Sequence, residues 1–161
     1  MTKNRERLRI VVISTVHETY DTRIFYKQIL SLQSKYEIVY FSATLETPQY
    51  DWIIPLSKSR SKMGRLLTHL SLIRRLPRFK ADLYLLHDPE LLPLGILLKL
   101  FGNKVVWDMH EDTYSDIRTK TYVKPLVRSA FAFIYKLFQV VSYKLFDGFV
   151  LAEDGYRSYF G

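Results

Sequence analysis

The chain alternates apolar runs with polar breaks. From Leu8 to Ser14 nearly every position is apolar, which is the pattern of a strand covered on both faces in a parallel sheet. A polar stretch from Thr15 to Asp21 comes next. Ile24, Phe25, Ile29 and Leu32 then recur at helical spacing and predict a helix from Thr22 to about Ser34, with Asp21 or Thr22 as its cap. Strands are expected at Tyr36 to Ser42 and, more briefly, at Trp52 to Pro55. Ser57 to Lys80 carries Met63, Leu66, Leu67, Leu70 and Ile73 at helical spacing among Arg60, Lys62, Arg65, Arg74 and Arg75, and Pro77 ends that helix. Two more apolar runs, Leu83 to Leu86 and Lys104 to Trp107, flank a leucine-rich helix, Leu91 to Phe101, with Gly102 at its C-cap position. A polar loop, Glu111 to Thr121, leads to a long aromatic-rich helix opened by Pro125 and reaching about Phe146. Asp147-Gly148 turns into a last strand, Phe149 to Ala152, and another helical pattern starts over Asp154 to Phe160.

Strands alternating with helices in this order predict an α/β fold, a Rossmann-like doubly wound parallel sheet, in one domain spanning 1–161. In such sheets ligands bind in the crevice beyond the carboxyl ends of the strands. The two runs that bracket the leucine-rich helix end in His87-Asp88-Pro89-Glu90 and in Asp108-Met109-His110-Glu111-Asp112. A polar first loop with His17, Asp21 and Arg23 adds to the same end of the sheet.

Charge narrows the partner. A formal net charge of +8 and a pI near 9.6 call for an acidic one: nucleic acid, anionic lipid or a phosphorylated substrate. No helix-turn-helix, zinc-finger or ribonucleoprotein signature is present, so nucleic acid is not expected. With no cysteine, disulfides and thiolate metal sites are excluded, which suits a cytoplasmic setting. The first residues run straight into a strand, so no signal peptide is expected, and Arg128, Lys136, Gln139 and Lys144 interrupt the longest apolar window.

The strings Ser14-Thr-Val-His17, Asp21-Thr-Arg-Ile-Phe25, His87-Asp-Pro-Glu-Leu-Leu-Pro-Leu-Gly95 and Lys104-Val-Val-Trp-Asp108-Met-His110-Glu-Asp112 together resemble the N-terminal lobe of retaining glycosyltransferases of family four. The resemblance covers nearly the whole chain in order. It implies one half of a GT-B enzyme with two facing Rossmann-like lobes. Such an enzyme transfers a sugar from a nucleotide-sugar donor, which is a substrate, and needs no metal or other cofactor. The N-terminal lobe supplies most of the acceptor site. The nucleotide-sugar is held by a C-terminal lobe, and nothing in these residues matches that lobe, so the chain alone is expected to be inactive. The branch resembled acts on lipid-linked or glycan acceptors in surface-polysaccharide assembly (capsule, lipopolysaccharide or exopolysaccharide), peripherally at the inner face of the cell membrane.

By that resemblance His110 faces the donor sugar in the cleft, with Asp108 beside it to orient the imidazole or bind a hydroxyl. His17, His87, Asp88, Glu90, Glu111 and Asp112 become candidates for acceptor hydroxyls, and Asp21 and Arg23 for the donor phosphate side. Relatives carry glycines in that first loop and this chain does not, which removes their close backbone approach to phosphate. Plainer readings stand beside these: His110 as a strand-end cap, Asp88 as a turn and helix cap, Arg23 as a helix-surface charge. Lys120, Lys124 and Arg128 on the aromatic helix, with Arg65, Arg74 and Arg75 in the basic segment, are candidates for contact with an anionic membrane; packing of both helices on the sheet is the alternative. Two rival functions remain. One is a metal-dependent hydrolase built on the histidines and carboxylates, although no His-x-His or His-Glu-x-x-His spacing is present. The other is a non-catalytic scaffold or membrane-recruiting half for a separate catalytic subunit.

Overall fold

The computed structural model describes residues 7–44, 47–58 and 61–152; the helix expected over 154–160, and Arg60, lie outside the described residues. Six strands form one all-parallel sheet in the order β3-β2-β1-β4-β5-β6. They are β1 (Arg9–Ser14), β2 (Glu37–Thr44), β3 (Ile53–Ser57), β4 (Leu83–Leu86), β5 (Val105–Met109) and β6 (Gly148–Leu151). The first three strands step outward in one direction. The chain then crosses back to place β4 on the other side of β1, so the strand order reverses between β1 and β4. That is the switch point at which a crevice opens beyond the strand ends.

Side chains along β1 alternate between two cores, as the strand period of two requires. Val11 and Ile13 join Leu86, Trp107, Leu72, Leu91 and Phe146 on one face, covered by α2 (Lys62–Arg75), α3 (Leu92–Leu100) and α5 (Pro125–Leu145). Ile10 and Val12 join Ile38, Tyr40 and Leu85 on the other, under Ile24, Phe25 and Ile29. Both faces are covered, which is why β1, β4 and β5 read as unbroken apolar runs.

Three segments depart from the expected pattern. The helix after the first loop is π-helical over Thr22–Ile29 and only then becomes α1, Leu30–Gln33. The leucine-rich helix is entered through a 3-10 turn, Pro89–Leu91, and starts at Leu92. The expected loop 111–121 contains a helix, α4 (Thr113–Thr119), which packs on α5. Its only apolar anchors are Tyr114 and Ile117, too few to reveal a helical period. The remaining strand boundaries fall within two residues or so of expectation.

Candidate functional site

The β1 end supplies Thr15 and His17, the β4 end His87, Asp88 and Glu90, and the β5 end Asp108 and His110. The π-helical stretch lies over this edge. Four residues form a continuous line across the crevice. The Asp88 Oδ1 is 3.3 Å from His17 Nε2, His17 Nε2 is 3.1 Å from His110 Nε2, and His110 Nδ1 is 3.4 Å from Asp108 Oδ1. Asp88 and Asp108 are fully buried, and His110 is 12% exposed.

Asp88 does not cap the helix that comes after it; no capping bond forms from its side chain. Its Oδ2 reaches across the switch point and accepts from the backbone N–H groups of Thr15 and, at 3.3 Å, Val16. The Thr15 hydroxyl in turn donates to Glu90 Oε1 at 2.7 Å. The first loop is thereby tied to the β4 end through a buried carboxyl group.

Asp108 anchors the other end of the line. Arg23 donates to both of its oxygens, Nη2 to Oδ1 at 2.6 Å and Nε to Oδ2 at 3.3 Å, and Gln28 Nε2 donates to Oδ2 at 2.5 Å. His87 Nδ1 lies 3.4 Å from Oδ2. Burial alone would raise the Asp108 carboxyl, but His110, His87, Arg23 and Gln28 around it outweigh that and hold it well below the usual carboxylate range. Burial pushes the His87 imidazole down despite the neighbouring Asp108, so it is neutral at neutral pH.

These charges assign the imidazole tautomers. Two ring nitrogens 3.1 Å apart need one proton between them. With His110 Nδ1 3.4 Å from the anionic Asp108, the tautomer that this carboxylate favours has the ring proton on Nδ1 and leaves Nε2 as an acceptor. His17 Nε2 then supplies the proton, facing both His110 and Asp88. A ligand hydroxyl that displaced His17 would meet the same acceptor.

The remaining predicted residues are placed plainly. Asp21 is the N-cap of the π-helical stretch, accepting from the N–H groups of Arg23 and Ile24. Those bonds, with His17 and His110 nearby, outweigh its partial burial and lower its carboxyl. Asp112 caps α4 through the N–H and hydroxyl of Ser115, and Glu111 is exposed; neither joins the buried line. Arg23 is no bare surface charge, since its guanidinium is pinned in the crevice by Asp108. Gln28 and Thr15 are additions that the sequence pattern does not point to. Arg23 and Gln28 are one π-helical turn apart and share a face, whereas in an α-helix, at about 100° per residue, they would lie roughly 140° apart. Thr15 contributes mainly a backbone N–H, which any residue would carry.

His87, Asp108 and His110 place ligand-type atoms within 4.8 Å of one another, the one such group among the described residues. The donor set fits a cation poorly. Both Asp108 oxygens already accept hydrogen bonds, and a bidentate guanidinium occupies the place where a second positive charge would have to sit.

The chain matches no model of a known protein family and no curated protein sequence.

Proposed function

We propose that this domain is the acceptor-binding lobe of a retaining GT-B glycosyltransferase, which moves a sugar from a nucleotide-sugar to a lipid-linked or glycan acceptor. The observation that carries the reading is the line Asp88, His17, His110, Asp108 at the switch point. It presents an oriented imidazole acceptor between two buried carboxylates, which suits a sugar hydroxyl better than a metal. His110 is the residue that would touch the reacting sugar. Asp108 is a positioning residue, because Arg23 and Gln28 already occupy both of its oxygens. The part of Arg23 that reaches solvent faces an anion such as a donor phosphate.

A peripheral position on the inner face of a membrane belongs to the same reading. Among the described residues no helix is long and apolar enough to cross a membrane. Yet Leu126, Phe133 and Leu137 on the outer side of α5 are 84%, 71% and 54% exposed. An apolar helix face beside Lys120, Lys124 and Arg128 is what an anionic bilayer surface attracts.

Saturation-transfer NMR of the chain with a panel of simple glycosides tests the crevice. Glycoside signals should be saturated by the wild-type protein and strongly reduced by His110→Ala. Equal saturation in both would remove His110 from the sugar site.

A further inference from the structure

Three of the six basic residues named as candidates for membrane contact, Arg65, Lys120 and Arg128, meet in one groove of about 520 Å³ bounded by α2, α3, α4 and α5. The other wall is apolar, built by Val123, Ile117, Phe131, Ile134 and Phe138. Glu90 sits where the groove meets the sugar crevice: one of its oxygens accepts from Thr15 and the other lies 3.5 Å from Arg65. The lining thus holds three cations against one engaged carboxylate. Arg128 is held in place by a 3.4 Å bond to the Lys120 carbonyl.

We infer that this groove is the binding site of the phosphate and first chain segment of a long-chain lipid phosphate. The inference rests on the acceptor-lobe reading and names the acceptor's chemical class. Charge and continuity argue for this occupant. Free phosphate would satisfy the cations and leave the aromatic wall empty, whereas a neutral lipid would leave the lining with an excess of positive charge, since Glu90 lies against Arg65 and offsets one cation of the three. Phe131 and Ile134, which line the groove, are also 54% and 48% exposed. Leu137 lies three residues beyond Ile134 and is its neighbour on the helix surface, so exposed apolar side chains lead from the groove toward the outer face of α5. A tail too long for about 520 Å³ has a path out, toward the bilayer. At the other end, a group carried on the phosphate would project past Glu90 toward His17 and His110.

A further hollow, of about 540 Å³, is lined by Ile73, Leu76, Phe79, Tyr84, Leu98 and Phe101 at the amino edge of the sheet. It has no comparable set of cations and lies away from the crevice.

The test is titration calorimetry of the 161-residue chain with octyl phosphate, octyl glucoside and inorganic phosphate, each below the micelle threshold. Octyl phosphate should bind roughly tenfold or more tighter than either control. Arg65→Gln and Arg128→Gln should each weaken it by about tenfold, and Ile134→Ser should weaken it without affecting inorganic phosphate. Arg65 and Ile134 are exposed enough that these changes spare folding. Equal binding of octyl glucoside, equal binding of inorganic phosphate, or no loss in the arginine variants would overturn the site. If octyl phosphate fails while glycosides still saturate in a His110-dependent way, the groove assignment falls and the acceptor lobe stands. If both fail, the lobe reading falls with it.

Discussion

Asp108 is a buried charge kept ionised by its neighbours, and its removal carries a definite cost. Arg23, Gln28, His87 and His110 surround its carboxylate, and these contacts outweigh burial. Asp108→Asn places an amide N–H₂ among groups that donate. The expected loss is about 1–3 kcal/mol, the usual cost of disrupting a buried hydrogen-bonded group. It is held to the lower part of that range on the Arg23 side, because a guanidinium one-third exposed can turn to water. The pH dependence has a definite sign. Asp108 is lowered when folded, so its contribution is complete above the ordinary value of 3.8 and is lost as pH falls through the lower folded value. His87 is also lowered, and the unfolded chain takes up its proton first, so acidification below 6.5 already costs stability. Urea unfolding across pH should show wild type losing stability in two acid stages. Asp108→Asn should lose less stability than wild type below pH 3.8, where Asp21 and Asp147, also lowered, still titrate in both proteins, and an equal loss in the two would contradict the role given to this carboxylate.

Among the elements, the π-helical stretch and α3 do the positioning. A pattern of Ile24, Phe25 and Ile29 is legible as a helix with one buried face, but the pattern does not reveal which helical register the backbone adopts. Gln28 is therefore not legible as a partner of Asp108. The strand ends are legible because a run of aliphatics that halts in histidine and aspartate stands out, and His17, His87, Asp88 and His110 are all marked that way. The cap at Asp112 has a readable signal in Ser115, but the short helix it opens has too few apolar positions to be seen. Gly95 in α3 makes a testable case. A Cβ built there would lie 2.5 Å from Phe146 Cζ and 2.7 Å from Leu86 Cδ1, two buried side chains. Glycine to alanine inside a helix ordinarily gains about 1 kcal/mol, while overpacking a filled core costs about 1–3 kcal/mol. Overpacking should win, so Gly95→Ala is expected to lower the thermal midpoint. A raised midpoint would mean that the Phe146 ring moves aside freely.

At the scale of the whole molecule, the sheet sets one polar crevice at the switch point and leaves an apolar, cation-flanked face on α5. The parallel fold is legible because both sheet faces are buried; the groove is not, since it joins residues from four helices far apart in sequence. If the outer face of α5 meets a membrane, the chain should co-sediment with vesicles containing anionic phospholipid far more than with neutral ones. That binding should weaken with added salt, which screens the attraction. Equal sedimentation with both vesicle types, or with neither, would assign the basic surface to another partner. On the proposed glycosyltransferase reading, His110 acts on the reacting sugar. The direct measurement is steady-state transfer from a nucleotide-sugar to a lipid-phosphate acceptor by this domain joined to a nucleotide-sugar-binding lobe, with wild-type and His110→Ala proteins compared. His110→Ala should lower kcat by about a hundredfold or more, a larger effect than any rise in acceptor KM from the lost hydroxyl contact, as for a group that acts mainly in the transition state; an unchanged kcat with only a raised KM would contradict this and place His110 in ground-state binding alone.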